Sequence, residues 1–255
     1  RDNQAVVGPD YMNRMRQAMP ELLYLVEVEN HRISMLPDGF YADFSDTHHT
    51  TREEVYDSSQ ALYISFDFNA GFNSMIVAQE RDDTIYIIDE LFVKGNKVVD
   101  DLVADFCRKY EQHGTKYVEV HGDRNGNSRY ANNKQTIYEG IEATLAQHGW
   151  QFYRPAKGRD APHAEKHAII NAAFKEDKNS GLPKVRVHRR CKSLIISISM
   201  APITEDFKKD KRSEKRNQAQ ETATHLSDCL DNLLVPLLKP RWRRGSLFAS
   251  DIYLG

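Results

Sequence analysis

Three apolar runs follow one another in the middle of this chain with almost nothing between them: Leu62–Phe68, Asn73–Glu80 and Thr84–Val93. Their β-branched and aromatic residues read as strands. Only Arg81-Asp82-Asp83 joins the second run to the third, and strands joined so briefly must pair antiparallel. The period then changes. Val99, Leu102, Val103, Phe106 and Tyr110 recur at helical spacing over 98–113, and Gly114 offers a stop. Lys116–Val120 is a strand again, so this passage suits a parallel crossover. Further helices are expected over 133–149, over Ala164–Phe174 and over Glu214–Leu238, the last closed by Pro240. Short strands are expected at Gln151–Tyr153 and Lys184–Val187, and Leu194–Met200 reads as a helix or a short strand. The order implies an α/β fold: a mixed sheet, three antiparallel strands then parallel ones, with helices on both faces.

Composition narrows the class. The 255 residues, 40% hydrophobic and 28% charged, suit a soluble chain with a buried core. A net charge of -2 gives no hint of nucleic acid, so any such contact must rest on local clusters. The 3 cysteines form no CxxC pair, which argues for a reducing compartment and against a disulfide frame or structural zinc. No apolar run reaches the roughly 18 residues a membrane span needs. The chain starts at Arg1, not Met, and reads as a fragment of something longer. We expect residues 1–57 to be a linker or arm, 58–240 the main domain, and 241–255 a basic tail carrying Arg241, Arg243 and Arg244 around Trp242.

Acidic residues end two of the expected strands and sit in the last helix. Asp67 lies at the end of Leu62–Phe66 on the first strand, and Asp123 follows Tyr117–Val120 at the start of a Gly-flanked polar loop. Each alone is equally well read as a turn residue. Asp228 lies beside the stripe of Leu226, Leu230, Leu233, Leu234 and Leu237, in line with His225 and Asp231 at spacings of three. Acids beside a core stripe are costly unless they serve something. Brought together, such carboxylates need cations between them, and hard oxygen ligands suit Mg2+ or Mn2+. The chemistry this suggests is hydrolysis of a phosphodiester with two ions, with Asp67 as the central acid. Glu90, His225 and Asp231 are secondary candidates.

These residues resemble the nuclease domain of the large terminase subunit of tailed bacteriophages, a member of the ribonuclease H-like superfamily. The likeness runs from about Leu62 to Leu238. Asp67-Phe68-Asn69 is similar to the first-strand aspartate of that family, and Val120-His121-Gly122-Asp123 to its second acid. His225-Leu226-Ser227-Asp228-Cys229-Leu230 is similar to its His-x-x-Asp-Ala-Leu helix, and Cys191-Lys192-Ser193-Leu194-Ile195 to a Cys-Lys-x-Leu-Ile segment. Upstream, Pro37 to Asp46 with His48-His49 resembles the stretch joining packaging ATPase to nuclease. Two positions depart: Cys229 stands where alanine is common, and Asp231-Asn232 where Arg-Tyr is usual. No GxxxxGK[ST] loop is present, so the motor itself is absent.

The resemblance implies a ribonuclease H-like fold and a metal-dependent endonuclease that cuts concatemeric double-stranded DNA during genome packaging. It implies two Mg2+ or Mn2+ ions held by Asp67, Asp123 and Asp228, the portal protein and small terminase subunit as partners, and the host cytoplasm as location. The alternatives are another ribonuclease H-like nuclease such as a junction resolvase, or a catalytically silent module that binds DNA or portal. For DNA contact the basic residues singled out are Lys157, Arg159, Arg186, Arg189, Arg190, Lys208, Lys209, Lys211 and Arg212.

Overall fold

A computed structural model of the chain describes residue 14 and residues 39–129, 135–156, 160–178, 180–212 and 219–250, with backbone alone over 243–250. Two short elements that sequence reading missed come first, α1 (Asp46–His49) and β1 (Thr50–Thr51). The expected strands follow as β2 (Leu62–Asp67), β3 (Phe72–Arg81) and β4 (Thr84–Lys94), paired antiparallel in sequence. Asp82 and Asp83 make the tight turn between β3 and β4, both at positive φ (49 and 55). This is the primed geometry that matches strand twist, and aspartate tolerates it better than most residues. Helix α2 (Val99–Lys109) crosses to β5 (Tyr117–Gly122), which lies parallel to β2. Then come α3 (Ile137–Gln147), β6 (Gln151–Tyr153), α4 (His163–Lys175), β7 (Lys184–His188), α5 (Lys192–Met200) and α6 (His225–Ser250). The strand order is β1-β7-β4-β3-β2-β5-β6.

Alternation along β2 decides which face carries chemistry. Leu62, Ile64 and Phe66 point into a core shared with α2 and α3, including Leu102, Phe106 and Ile141. Tyr63, Ser65 and Asp67 therefore face the other way, towards α6, because successive side chains alternate across a strand. There the second core packs Leu226, Leu230, Leu233 and Leu234 against the sheet. Phe40, Tyr41 and Phe44, from the stretch expected to be an arm, are buried in that same core.

The last helix departs from expectation at both ends. It begins at His225, after a 3-10 turn over Gln220–Thr222, not at Glu214; residues 213–218 lie outside the described ones. It does not stop at Pro240 but runs through Pro236 and Pro240 to Ser250. An interior proline costs about 3 kcal/mol by removing a hydrogen bond and crowding the preceding turn. Tertiary contacts offset that cost. Lys239 pairs with Glu165 at 2.8 Å, Arg241 with Glu80 at 2.7 Å, and Trp242 packs on the core.

Candidate active site

Strand register brings the first two acids together. β2 and β5 are parallel neighbours with Phe66 opposite Gly122, so the next residue on each is an aspartate, on strands about 4.8 Å apart. Asp123 also caps the 3-10 turn Arg124–Asn127, accepting the Asn125 amide at 2.6 Å. Turn and site readings therefore coexist in one residue. Tyr138 closes over this loop, its hydroxyl donating to the Asp123 carbonyl at 2.8 Å. A Cβ on Gly126 would fall 2.3 Å from its ring, which is why that position is glycine.

Helix α6 supplies the third acid by lying close on β2. Ser65 Oγ donates to the Cys229 carbonyl at 2.8 Å, and Asn232 Nδ2 to the Phe66 carbonyl at 3.1 Å. A cavity of about 340 Å³ results, lined by Asp67, Asp123, Asp228 and Asp231 together with Lys209 and Lys211. His225 bridges inwards. Its Nδ1 lies 2.9 Å from Asp67 Oδ2 and its Nε2 2.9 Å from Gln220 Oε1. Asn69 Nδ2 donates to the same Asp67 oxygen.

Four carboxylates in one small cavity repel each other, and lysines answer part of that charge. Lys209, its side chain only 4% exposed, places Nζ 2.8 Å from Asp228 Oδ1 and 2.8 Å from Asp231 Oδ2, over the rings of Phe40 and Tyr41. Asp231 is further held by the Tyr41 hydroxyl at 2.7 Å and by Lys166 at 3.1 Å. Lys211, 51% exposed, reaches Asp228 Oδ2 at 2.6 Å. Burial alone would raise the Asp228 carboxyl, but the two ammonium groups hold it well below the usual carboxylate range. Burial would lower Lys209, and Asp228 and Asp231 instead raise it. The inner lysine is locked in and the outer one is not. Asp67 and Asp123 have no lysine partner among the described contacts, so hard oxygen donors remain for divalent ions.

The remaining sequence candidates fall elsewhere. Glu90 does not line the cavity. It accepts the Ser193 and Leu194 amides at 3.0 and 2.7 Å, capping α5. Desolvation pushes its carboxyl up to about 7. The folded protein thus holds that proton to higher pH than the unfolded chain does. The stabilisation is full below about 4.5 and is lost as pH rises through about 7. Glu90→Gln should flatten the fall in urea stability across that window, up to about 3 kcal/mol in the native chain. An unchanged slope in the variant would assign the pH dependence to other groups.

Arg186 pairs with Glu176, Arg189 with Asp46 and Arg190 with Glu54. Lys208 and Arg212 pair with Asp206 and Asp210 on their own loop. Of the basic candidates, Lys208, Lys209 and Lys211 line the acidic cavity. Lys157 and Arg159 lie outside the described residues. Sequence reading gave Lys209 to DNA, yet its buried ammonium is spent on two aspartates; nothing local marks such a partner. Among the described residues, the trio of ligating groups drawn within 4.8 Å of one another is His48, His49 and Glu176. It suits an ion poorly. The Ser45 amide donates to His49 Nδ1 at 2.8 Å, which leaves the proton on Nε2, and Arg186 already grips Glu176.

No family model and no curated protein matches the chain. Solved structures do. The large terminase of a thermophilic bacteriophage matches 93% of this chain at 15% identity and a TM-score of 0.53. The chain covers 54% of that protein, about half its length. The P22 large terminase nuclease domain matches 80% of this chain and 93% of its own length, at 11% identity and a TM-score of 0.52. Identities this low speak to the fold alone. The chain has the fold of the P22 large terminase nuclease domain.

Proposed function

We propose that this chain is a metal-dependent endonuclease that hydrolyses DNA phosphodiester bonds, and that it serves as the nuclease part of a large terminase cutting concatemeric viral DNA during packaging. The observation that carries the reading is one cavity lined by Asp67, Asp123 and Asp228, drawn from two strand ends and a helix. The fold likeness to the thermophilic phage terminase and to the P22 nuclease domain supports it. On this reading Asp67, Asp123 and Asp228 hold two Mg2+ or Mn2+ ions, which when bound would acidify a water and stabilise charge on the leaving oxygen. The chain's own part is positional. Asn69 and His225 fix the Asp67 carboxylate, strand register fixes Asp123 beside it, and Lys209 with Asp231 fixes Asp228. Portal protein, small terminase subunit and the host cytoplasm belong to the same proposal.

The test is supercoiled plasmid incubated with Mn2+, with Mg2+ and with EDTA. Metal-dependent nicking and linearisation are expected. A chain that takes up no Mn2+ and cuts nothing would be a silent binding module instead.

Metal loading must compete with Lys211 for Asp228 Oδ2. An ion pair with a half-exposed lysine is worth about 0–1 kcal/mol. Lys211→Met should therefore tighten Mn2+ binding by up to about fivefold, read by titration calorimetry. Weaker or equal binding would mean that Lys211 helps, or ignores, the ion.

A further inference from the structure

A second, larger cavity of about 790 Å³ opens beside the acidic one and shares Asp123, His163, Lys166, Asp231 and Asn232 with it. Its outer wall carries Arg124, Arg154 and Tyr138. The guanidinium of Arg154 lies 4.6 Å over the Tyr138 ring, which holds its planar fork in one orientation. We propose that this groove takes the DNA strand flanking the scissile phosphate, with Arg124 and Arg154 contacting its phosphates. The inference rests on the nuclease reading and names where that substrate lies.

The argument is one of available charge. Arg124 is 59% exposed and its partner Asp160 52%, at 3.3 Å. Arg154 bonds Glu142 at 2.8 Å, with the two side chains 34% and 24% exposed. The Arg124 pair is exposed and contributes little, so a phosphate exchanges with its carboxylate at small cost. Arg186 and Glu176 are only 17% and 15% exposed, and parting them would strand a charge in poorly hydrated surroundings. Position agrees with charge. Arg124 directly follows Asp123, so a phosphate on its guanidinium is one short step along the strand from the acids. An arginine held on an aromatic face beside a basic groove is a common way to track a nucleic acid backbone.

Fluorescence anisotropy of a labelled duplex in EDTA, across a salt series, tests this without cleavage. The native chain is compared with Arg124→Gln/Arg154→Gln and with Arg81→Gln/Arg108→Gln, a double of equal charge change whose side chains do not line the groove. The groove double should weaken binding about tenfold or more and reduce the steepness of log affinity against log salt by about 2, since each lost phosphate contact removes about 0.9. The control double should change affinity less than about twofold, with little change in slope. Should the groove double not fold, Arg124→Gln alone carries the test, with a slope change of about 1. Equal loss in both doubles, or none in the groove double, overturns the inference. If the native chain then still cuts plasmid, the nuclease reading stands without the groove. A native chain that neither binds nor cuts DNA overturns both.

Discussion

Asp67→Ala is expected to cut Mn2+-dependent plasmid cleavage by about 10³-fold or more, equivalent to some 4 kcal/mol of transition-state stabilisation. Asp67 is the acid with neighbours from three directions: Asp123 across the parallel register, and Asn69 and His225 on its own carboxylate. Removing it takes out the group most central to any ion the cavity holds, while the fold loses only two side-chain hydrogen bonds. Stability should therefore change by no more than a few kcal/mol, and a melt on the same sample separates loss of site from loss of fold. Asp67→Asn, which keeps the shape and removes the charge, should be nearly as inactive. Cleavage that survives both substitutions in a clean preparation would sink the assignment of Asp67.

The largest effect on stability should come from Lys209→Met, a loss of about 3–5 kcal/mol in chemical denaturation. The methionine would fit the space over Phe40 and Tyr41, so packing is not the cause. The cause is that Asp228 and Asp231 lose the ammonium group 2.8 Å from each, deep in the fold. Asp231 would keep Tyr41 and Lys166, and Asp228 the half-exposed Lys211, whose solvated ammonium replaces little of the buried one. The double variant Lys209→Met/Asp231→Leu removes cation and anion together and should recover most of the loss, because a buried pair replaced as a unit is often nearly neutral. A single variant as stable as the native chain would mean that water reaches this pair and screens it. A double variant no better than the single would point to Asp231 having a further role.

Much of the fold is written locally. Alternation in Leu62–Phe66 fixed a strand and its two faces, the three-residue link after Glu80 fixed its antiparallel partners, and a helical period between two strand patterns fixed the crossover, although the helix ends at Lys109 and not at Gly114. The meeting of Asp67 and Asp123 was legible for the same reason: an aspartate at the end of a strand sits at a sheet end wherever that strand goes. What failed to show depends on contacts distant in sequence. Glu90 looked like a strand-end acid but meets the amides of Ser193 and Leu194, more than a hundred residues on. Lys209 looked like a surface cation because its two acids lie on a helix not yet formed when one reads the loop. Pro240 looked like a helix end because the propensity rule is local, whereas Glu165 and Glu80 carry the helix past it. The departure at Asp231 was visible in the sequence; its meaning, an anchor for Lys209, was not.

Tyr41 gives the site a mechanical dependence. Its hydroxyl spans the Ser227 carbonyl at 2.9 Å and Asp231 at 2.7 Å, its ring lies under Lys209, and it belongs to a turn docked between Ala201 and Asn171. Undocking that turn would withdraw a proton donor from Asp231 and a wall from Lys209 at once. By reciprocity, whatever free energy the docked turn lends to ion uptake, ion uptake returns to the docked turn. On the nuclease reading, docking of that turn and ion occupancy of the acid cavity would be two readings of a single equilibrium.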